Sequence, residues 1–332
     1  MTDFAFATCL PGMEPALKLD VARARPELRL SYSRPGLVTF KSPRPVSPDE
    51  APGSVFAWVW GRSIGGASDP VAAALQLAAL GATRVHVFAR DPGGGASDLA
   101  HGLAPELDSW QALGPGGPAE LGELVADVIL GAPDEPAWLG AHRHDRFRSP
   151  HPGGAVPAVV PDDAPSRAYA KIEEAIAWAG LAVARGQVAL EIGAAPGGAA
   201  LALARRGLEV WAVDPGQLAP NVVALRTVHH IAKKVGALRW EELPARVDWL
   251  LVDVNLAPQV ALHEVGRLMP RLAATLCGAV FTLKLNDWTF VSELAVLAER
   301  IRQLGLSNVR MRHLPSNRRE ICVVALRQGT RM

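Results

Sequence analysis

From residue 186 onward, short apolar runs alternate with stretches in which apolar positions recur every three or four residues. "QVALEIG", "LEVWAVD", "VDWLLVDV" and "GAVFTLKL" read as strands, and helices are expected from about residue 196, over 259–275 and from about 288 to 304. Strand and helix in alternation predict an α/β domain built on a parallel, doubly wound sheet. The last two β-rich runs, "NVRMRHL" and "REICVVAL", flank "PSNR" and predict a terminal hairpin that adds an antiparallel edge.

The first 135 residues are less regular. Apolar runs at "FAFATCL", "GLVTFK", "SVFAWVWGRSI", "ATRVHVFAR" and "ELVADVILGA", with a helical run at "PVAAALQLAALG", predict a smaller α+β region. Between the halves, "GAHRHDRFRSPHPGGAVPAVVPDDAPSR" is dense in Pro, Gly and basic residues and carries turn chemistry throughout. The expected organisation is a first domain over 1–135, a linker over 136–165 and a second domain over 166–327.

A length of 332 residues suits two domains. Hydrophobic residues at 49% and charged residues at 20% describe an ordinary globular chain. The net charge of +1 means that any nucleic-acid partner has to be held by a local basic patch. Three well-separated cysteines, Cys9, Cys277 and Cys322, make neither a metal spacing nor a disulfide framework, so a reducing cytoplasm and no metal are expected. The first residues lack the basic-then-apolar order of a signal peptide, and no apolar run is long enough to predict a membrane span.

The chemistry begins with "EIGAAPGGAALALARRGLEVWAVD". A strand ending at Gly193, a loop of Ala194, Ala195, Pro196, Gly197 and Gly198, and a helix beginning there would bring backbone close to a ligand at the switch point of the sheet. Asp214, closing the next strand, would accept from two ribose hydroxyls, so a nucleoside is expected. The loop lacks the GxGxxG order of a dinucleotide site, and Glu191 sits two residues before Gly193. A cationic, phosphate-free cofactor such as S-adenosylmethionine (SAM) suits that acid. The other reading is a glycine-rich turn serving only strand-to-helix packing.

Asp253 and Lys284 close two further strands, and a parallel sheet brings both to the same carboxyl edge. A lysine inside "FTLKL" calls for a partner or a lost proton, because burying an ammonium is costly. A functional pair and a structural ion pair both remain open. In "APSRAYAKIEEAIAWAG", a helix with Ser166 as its expected N-cap, Lys171 shares a stripe with Ala168, Ala175 and Trp178. It reads either as a second semi-buried lysine or as a snorkelling surface one. Glu320, opening "EICVVAL", reads either as a group at the sheet edge or as a solvated hairpin charge.

Taken together, "SRAYAKIEE", "EIGAAPGG", "LLVDVNLAP", "FTLKL" and "SNRREICVV" follow the order and approximate spacing of the FtsJ-like RNA 2′-O-ribose methyltransferases, which this chain resembles over about residues 150–327. "DDAPSRAYAKIEEA" is most similar to the members acting on a cytidine of 23S ribosomal RNA. The resemblance implies a Rossmann-like SAM-dependent methyltransferase domain with an antiparallel C-terminal strand, preceded by a ferredoxin-like or THUMP-like RNA-binding region. It implies a catalytic tetrad of Lys171, Asp253, Lys284 and Glu320, with Lys284 as the general base or orienting group, its pKa lowered by desolvation and by Lys171. SAM would lie along Glu191, the loop 193–198, Asp214 and Asp253. Arg143, Arg146, Arg148 and Arg167, with His142 and His144, are expected to meet RNA phosphates, or else to form a solvated linker. Two features depart from the family pattern: Ala199 and Ala200 follow the loop in place of Trp, and Lys234 in "VHHIAKKVG" stands where an Asp for the adenine is usual.

Overall fold

The computed structural model describes residues 3–50, 53–69, 76–91, 117–132 and 135–330. The chain divides into two compact units, Met1–Val156 and Pro157–Met332.

The first unit holds one seven-stranded mixed sheet: β1 (Asp3–Thr8), β2 (Arg29–Arg34), β3 (Leu37–Ser42), β4 (Trp60–Ala67), β5 (Arg84–Ala89), β6 (Leu124–Leu130) and β7 (Ala137–Arg143), ordered β2-β3-β1-β4-β7-β6-β5. β5 and β6 run parallel and the remaining pairs antiparallel. Helix α1 (Glu14–Ala24) follows β1 and buries Ala16, Leu17 and Val21 along one face. The five expected apolar runs each contribute a strand, whereas β2, β7 and α1 were not read from the sequence. Of the helical run expected at 70–81, only the end, from Gln76, lies within the described residues.

The stretch taken as a basic linker is corrected at its start, where residues 137–143 form β7 in the interior of this sheet. Strand alternation turns His142 inward, 2% exposed, with Nδ1 2.6 Å from Asp127 Oδ2. Arg148 is also withdrawn from any phosphate: it is 4% exposed, donates to the Trp60 carbonyl at 3.0 Å, pairs with Asp145 at 3.1 Å and stacks over the Trp60 ring. His144 is buried too. Arg143 is exposed and paired with Asp49 at 2.9 Å. Arg146 and Arg167 stay exposed without a carboxylate partner among the described residues.

The second unit is an α/β fold. Its strands are β8 (Val188–Ile192), β9 (Glu209–Val213), β10 (Val228–Ile231), β11 (Trp249–Val252), β12 (Gly278–Lys284), β13 (Asn308–Arg312) and β14 (Glu320–Leu326), ordered β10-β9-β8-β11-β12-β14-β13. β8 to β12 are mutually parallel where they pair, and β14 runs antiparallel to both β12 and β13. The expected antiparallel hairpin is present, but its second strand is internal and β13 takes the edge. Burial explains the choice, because β14 buries every residue after Glu320 whereas β13 buries only Arg312. β10 was not anticipated.

The helices of eight residues or more are α2 (Ala168–Ala179), α3 (Gly198–Arg205), α4 (Pro258–Leu272) and α5 (Leu294–Gln303), and a single turn, Pro220–Val223, precedes β10. In α4, Ala261, Leu262, Val265, Leu268, Met269 and Leu272 are buried, the 3.6-residue period that marked the helix in the sequence. Each fully buried Leu or Val in such a stripe contributes about 1.5–3 kcal/mol. α2 begins one residue later than a Ser166 cap would require: Arg167 holds the N-cap position, and the Ser166 hydroxyl accepts from the Ala168 N–H at 3.3 Å.

Candidate active site

The strand order leaves β8 toward β9 on one side and toward β11 on the other, so a crevice opens at the carboxyl ends of β8 and β11. Gly193 and Asp253 sit at its two lips. They are in backbone contact: Gly193 has φ +87°, and a Cβ there would lie 2.3 Å from the Asp253 carbonyl oxygen. Only glycine fits that approach. Gly198 has a different cause, since its Cβ would meet the Ser166 Oγ at 2.3 Å, which makes it a packing glycine between α3 and the start of α2. Ala194 is buried, as are Ala199 and Ala200, and the Ala195–Pro196 peptide is cis.

Glu191, on β8, is 1% exposed. It accepts a hydrogen bond from the Ala200 N–H in the first turn of α3, and its Oε2 is buried without a hydrogen-bond partner among the described residues. Burial, then the nearby Asp253 and Asp214 carboxylates, push it well above the usual carboxylate range, against the pull of the Ala200 N–H. Asp214 follows β9 and accepts from the Gly216 N–H at 2.7 Å. Lys234 is exposed on the turn after β10.

Lys171, Asp253, Lys284 and Glu320 converge from four elements into a closed ring. Lys171 Nζ lies 2.9 Å from Asp253 Oδ2 and 2.6 Å from Glu320 Oε2. Lys284 Nζ lies 2.8 Å from Asp253 Oδ1 and 2.6 Å from Glu320 Oε1. Lys284 ends β12 and Glu320 begins β14 as direct antiparallel partners, which puts both side chains on one face. Asp253 arrives from the end of β11, and Lys171 from α2, which packs against α3 and β14. None of the four side chains is more than 22% exposed. The snorkelling lysine and the solvated hairpin charge are therefore not what the fold builds.

The ring corrects one electrostatic expectation. Burial does push the Lys284 ammonium toward losing its proton, but Asp253 and Glu320 more than reverse this and hold it above the ordinary lysine value. Glu320 moves the opposite way: burial raises it, and Lys171 with Lys284 bring it below the ordinary glutamate value. With two cations and two anions the quartet is neutral, and Lys284 stays an ammonium instead of serving as a ready base.

A fifth carboxylate escaped sequence reasoning. Glu174, one helical turn beyond Lys171, is 4% exposed and accepts from the Ser316 N–H at 2.8 Å and its hydroxyl at 2.7 Å. It thus ties the helix carrying Lys171 to the turn that delivers Glu320. The only hint in the sequence was its i, i+3 spacing from Lys171. The same turn is braced by His313, 0% exposed, whose Nε2 donates to the Arg318 carbonyl at 3.0 Å.

Burial pushes His313 down to about 4, and in the first unit it does the same to His144. An unfolded histidine titrates near 6.5, so between about 6.5 and 4 the unfolded chain binds protons that the folded chain does not. Stability is therefore expected to fall as pH drops through that window, by about 1.4 kcal/mol per pH unit for each such histidine. Urea unfolding at pH 7 and pH 5 checks this, and His313→Gln should flatten the slope of the transition that reports the second unit. A pH-independent midpoint would contradict the burial.

Among curated proteins, the chain is similar to the ribosomal RNA large subunit methyltransferase M of Alkalilimnicola ehrlichii, 37% identical over 190 residues, which are 54% of this chain and 50% of that one. The protein of the same name from Chromohalobacter salexigens is 34% identical over 189 residues, 53% of this chain and 51% of that one. The chain thus spans about half the length of these curated relatives. Among solved structures, TrmN from Thermus thermophilus covers 98% of this chain and 99% of its own at 17% identity, with a TM-score of 0.36, too low to bear on function. No protein-family model matches the chain.

Proposed function

We propose that this chain transfers a methyl group from SAM to a ribose 2′-hydroxyl of large-subunit (23S) ribosomal RNA in the cytoplasm. The Met1–Val156 unit would act as a THUMP-like RNA-binding region and Lys171, Asp253, Lys284 and Glu320 as the catalytic groups. The observation that carries this reading is the closed Lys-Asp-Lys-Glu ring at the switch point of an α/β sheet. The printed name of the curated relatives supplies the substrate class.

The residues at the carboxyl edge fit SAM. The partnerless Oε2 of Glu191 is a buried acceptor suited to an ammonium donor, and Asp214 is an acceptor suited to ribose hydroxyls. Gly193 to Gly198 and Asp253 complete that lip. When bound, SAM supplies a methyl group made electrophilic by its sulfonium.

A ribose hydroxyl is a poor nucleophile at neutral pH and needs positioning and help with its proton. The two lysines, each gripped by both carboxylates, would orient the hydroxyl oxygen and stabilise negative charge growing on it. Asp253 and Glu320 fix the lysines and offer anionic oxygens to receive the proton. Glu174 would keep the ring in register through Ser316. Arg146 and Arg167, exposed and without carboxylate partners among the described residues, remain available to phosphates.

Calorimetric titration with SAM tests the cofactor half of this reading. The protein is expected to bind SAM, and Glu191→Gln to weaken binding about 10-fold or more, the worth of a hydrogen bond to a charged group. A folded protein that binds no SAM would instead be an RNA-binding protein on a degenerate methyltransferase fold.

A further inference from the structure

The first unit contains a second candidate site, far from the ring in sequence. In its sheet, β2 and β7 are separated by three strands, yet Tyr32 on β2 and Trp138 on β7 stack with ring centroids 5.2 Å apart and planes 13° from parallel. The sheet must therefore curl until the two strands face each other across its concave side. Backbone closes the curl: the turn between β2 and β3 rests on the end of β5, where a Cβ on Gly36 would lie 2.1 Å from the Arg90 carbonyl oxygen. A pocket opens at this mouth, lined by Tyr32, Arg34, Arg90, Glu135 and Trp138 above the buried Leu37 and Ile129.

We propose that this pocket binds one unpaired nucleotide of a single-stranded RNA. The walls are held ready: the Trp138 Nε1–H donates to the Ser63 hydroxyl at 2.9 Å, and Arg90 pairs with Glu135 at 2.6 Å on the rim. Arg34 differs from Arg90. Its guanidinium lies 4.8 Å over the Tyr32 ring, it has no carboxylate partner among the described residues, and it reaches only the neighbouring Ser33 carbonyl, at 3.4 Å. An exposed cation parked on an aromatic face is in position to move onto a phosphate and yield its place to a base. Stacking on Tyr32, Arg34 on the phosphate and the Arg90–Glu135 pair at the base edge use every feature of the pocket. A bare anion would leave the aromatic wall unused, and an apolar ligand would leave Arg34 without a counter-charge.

The biological ligand rests on the reading of the chain as acting on RNA, but the binding needs neither SAM nor methyl transfer. The test uses the full chain without SAM and a fluorescein-labelled oligocytidylate, followed by anisotropy. Tyr32→Ala is expected to weaken binding about 5- to 100-fold, the usual effect of losing one base-stacking contact, with Tyr32→Phe restoring most of it. Arg34→Ala should weaken binding and flatten the logarithmic salt slope by about 0.7, one phosphate contact on a single strand. A 4-thiouridine-containing oligomer should crosslink to the peptide holding Tyr32 or Trp138. Unchanged binding by Arg34→Ala, an exposed position whose loss leaves the fold intact, together with crosslinks elsewhere, overturns the pocket, whatever Tyr32→Ala does to stability. Intact methyl transfer in that case leaves the proposed function standing. Conversely, a wild-type protein that transfers no methyl group while these variants lose the oligomer sinks the proposed function and keeps the pocket.

Discussion

Lys284→Met is expected to slow methyl transfer by about 100- to 10,000-fold, the range lost with a positioned acid–base or charge-stabilising group, with SAM affinity nearly unchanged. Methionine keeps the length and apolar packing of the stem between the buried Leu283 and Leu285 while removing the charge. Asp253 and Glu320 would then share Lys171 alone, two anions around one cation, so some stability must go as well. Breaking a buried pair costs about 3–5 kcal/mol, and the 20% exposure of Lys284 places this loss at the lower end. The separation of rate from stability identifies the role. A destabilised variant that, when cold and folded, turns over RNA near the wild-type rate would leave only a structural ion pair.

Asp253→Ala is expected to have an effect at least as large. Asp253 grips both lysines through separate oxygens, so its loss leaves two ammonium groups repelling each other with Glu320 as the sole counter-ion. Neither lysine would hold its orientation toward an acceptor hydroxyl, and transfer should fall below about one-hundredth of wild type while the fold survives. The Asp253 backbone, which meets Gly193, is unaffected by the substitution. Single-turnover rates beside thermal melting distinguish the outcomes. Wild-type turnover by the purified variant would remove Asp253 from the reacting groups.

Pattern alone set Asp253 and Lys284 at strand ends and left Lys171 and Glu320 open between inner and solvated positions; the four stood together as one set only through the family resemblance. Asp253 and Lys284 close strands, Glu320 opens one, and Lys171 lies on an apolar face. The charge state of Lys284 was not legible, because burial and two carboxylates pull in opposite directions and only their distances decide. The role of Glu174 was hidden for a related reason: beyond its spacing from Lys171 nothing marks it, because its partner Ser316 lies 142 residues away and no local pattern points to a bond of that span.

Elsewhere the misses have local causes. β2, "RLSYSR", is nearly all polar and belongs to the edge of the first sheet, so it lacks the alternation that marks a half-buried strand. β7, "AWLGAHR", runs straight into a Pro/Gly-rich basic stretch, whose composition masked the strand and made Arg148 look like a surface charge. The stack of Tyr32 on Trp138 depends on the curl of a whole sheet, which no stretch of sequence encodes locally.

The most direct measurement incubates the purified 332-residue chain with large-subunit ribosomal RNA lacking ribose methylation and SAM carrying a labelled methyl group, then maps the label by nucleotide. The expected result is SAM-dependent label on a ribose 2′-oxygen at a defined position, lost in Lys284→Met and Asp253→Ala. Label on a base, or no label from a folded protein that binds both SAM and the RNA, would contradict the assignment of the Lys171, Asp253, Lys284 and Glu320 ring to ribose methylation.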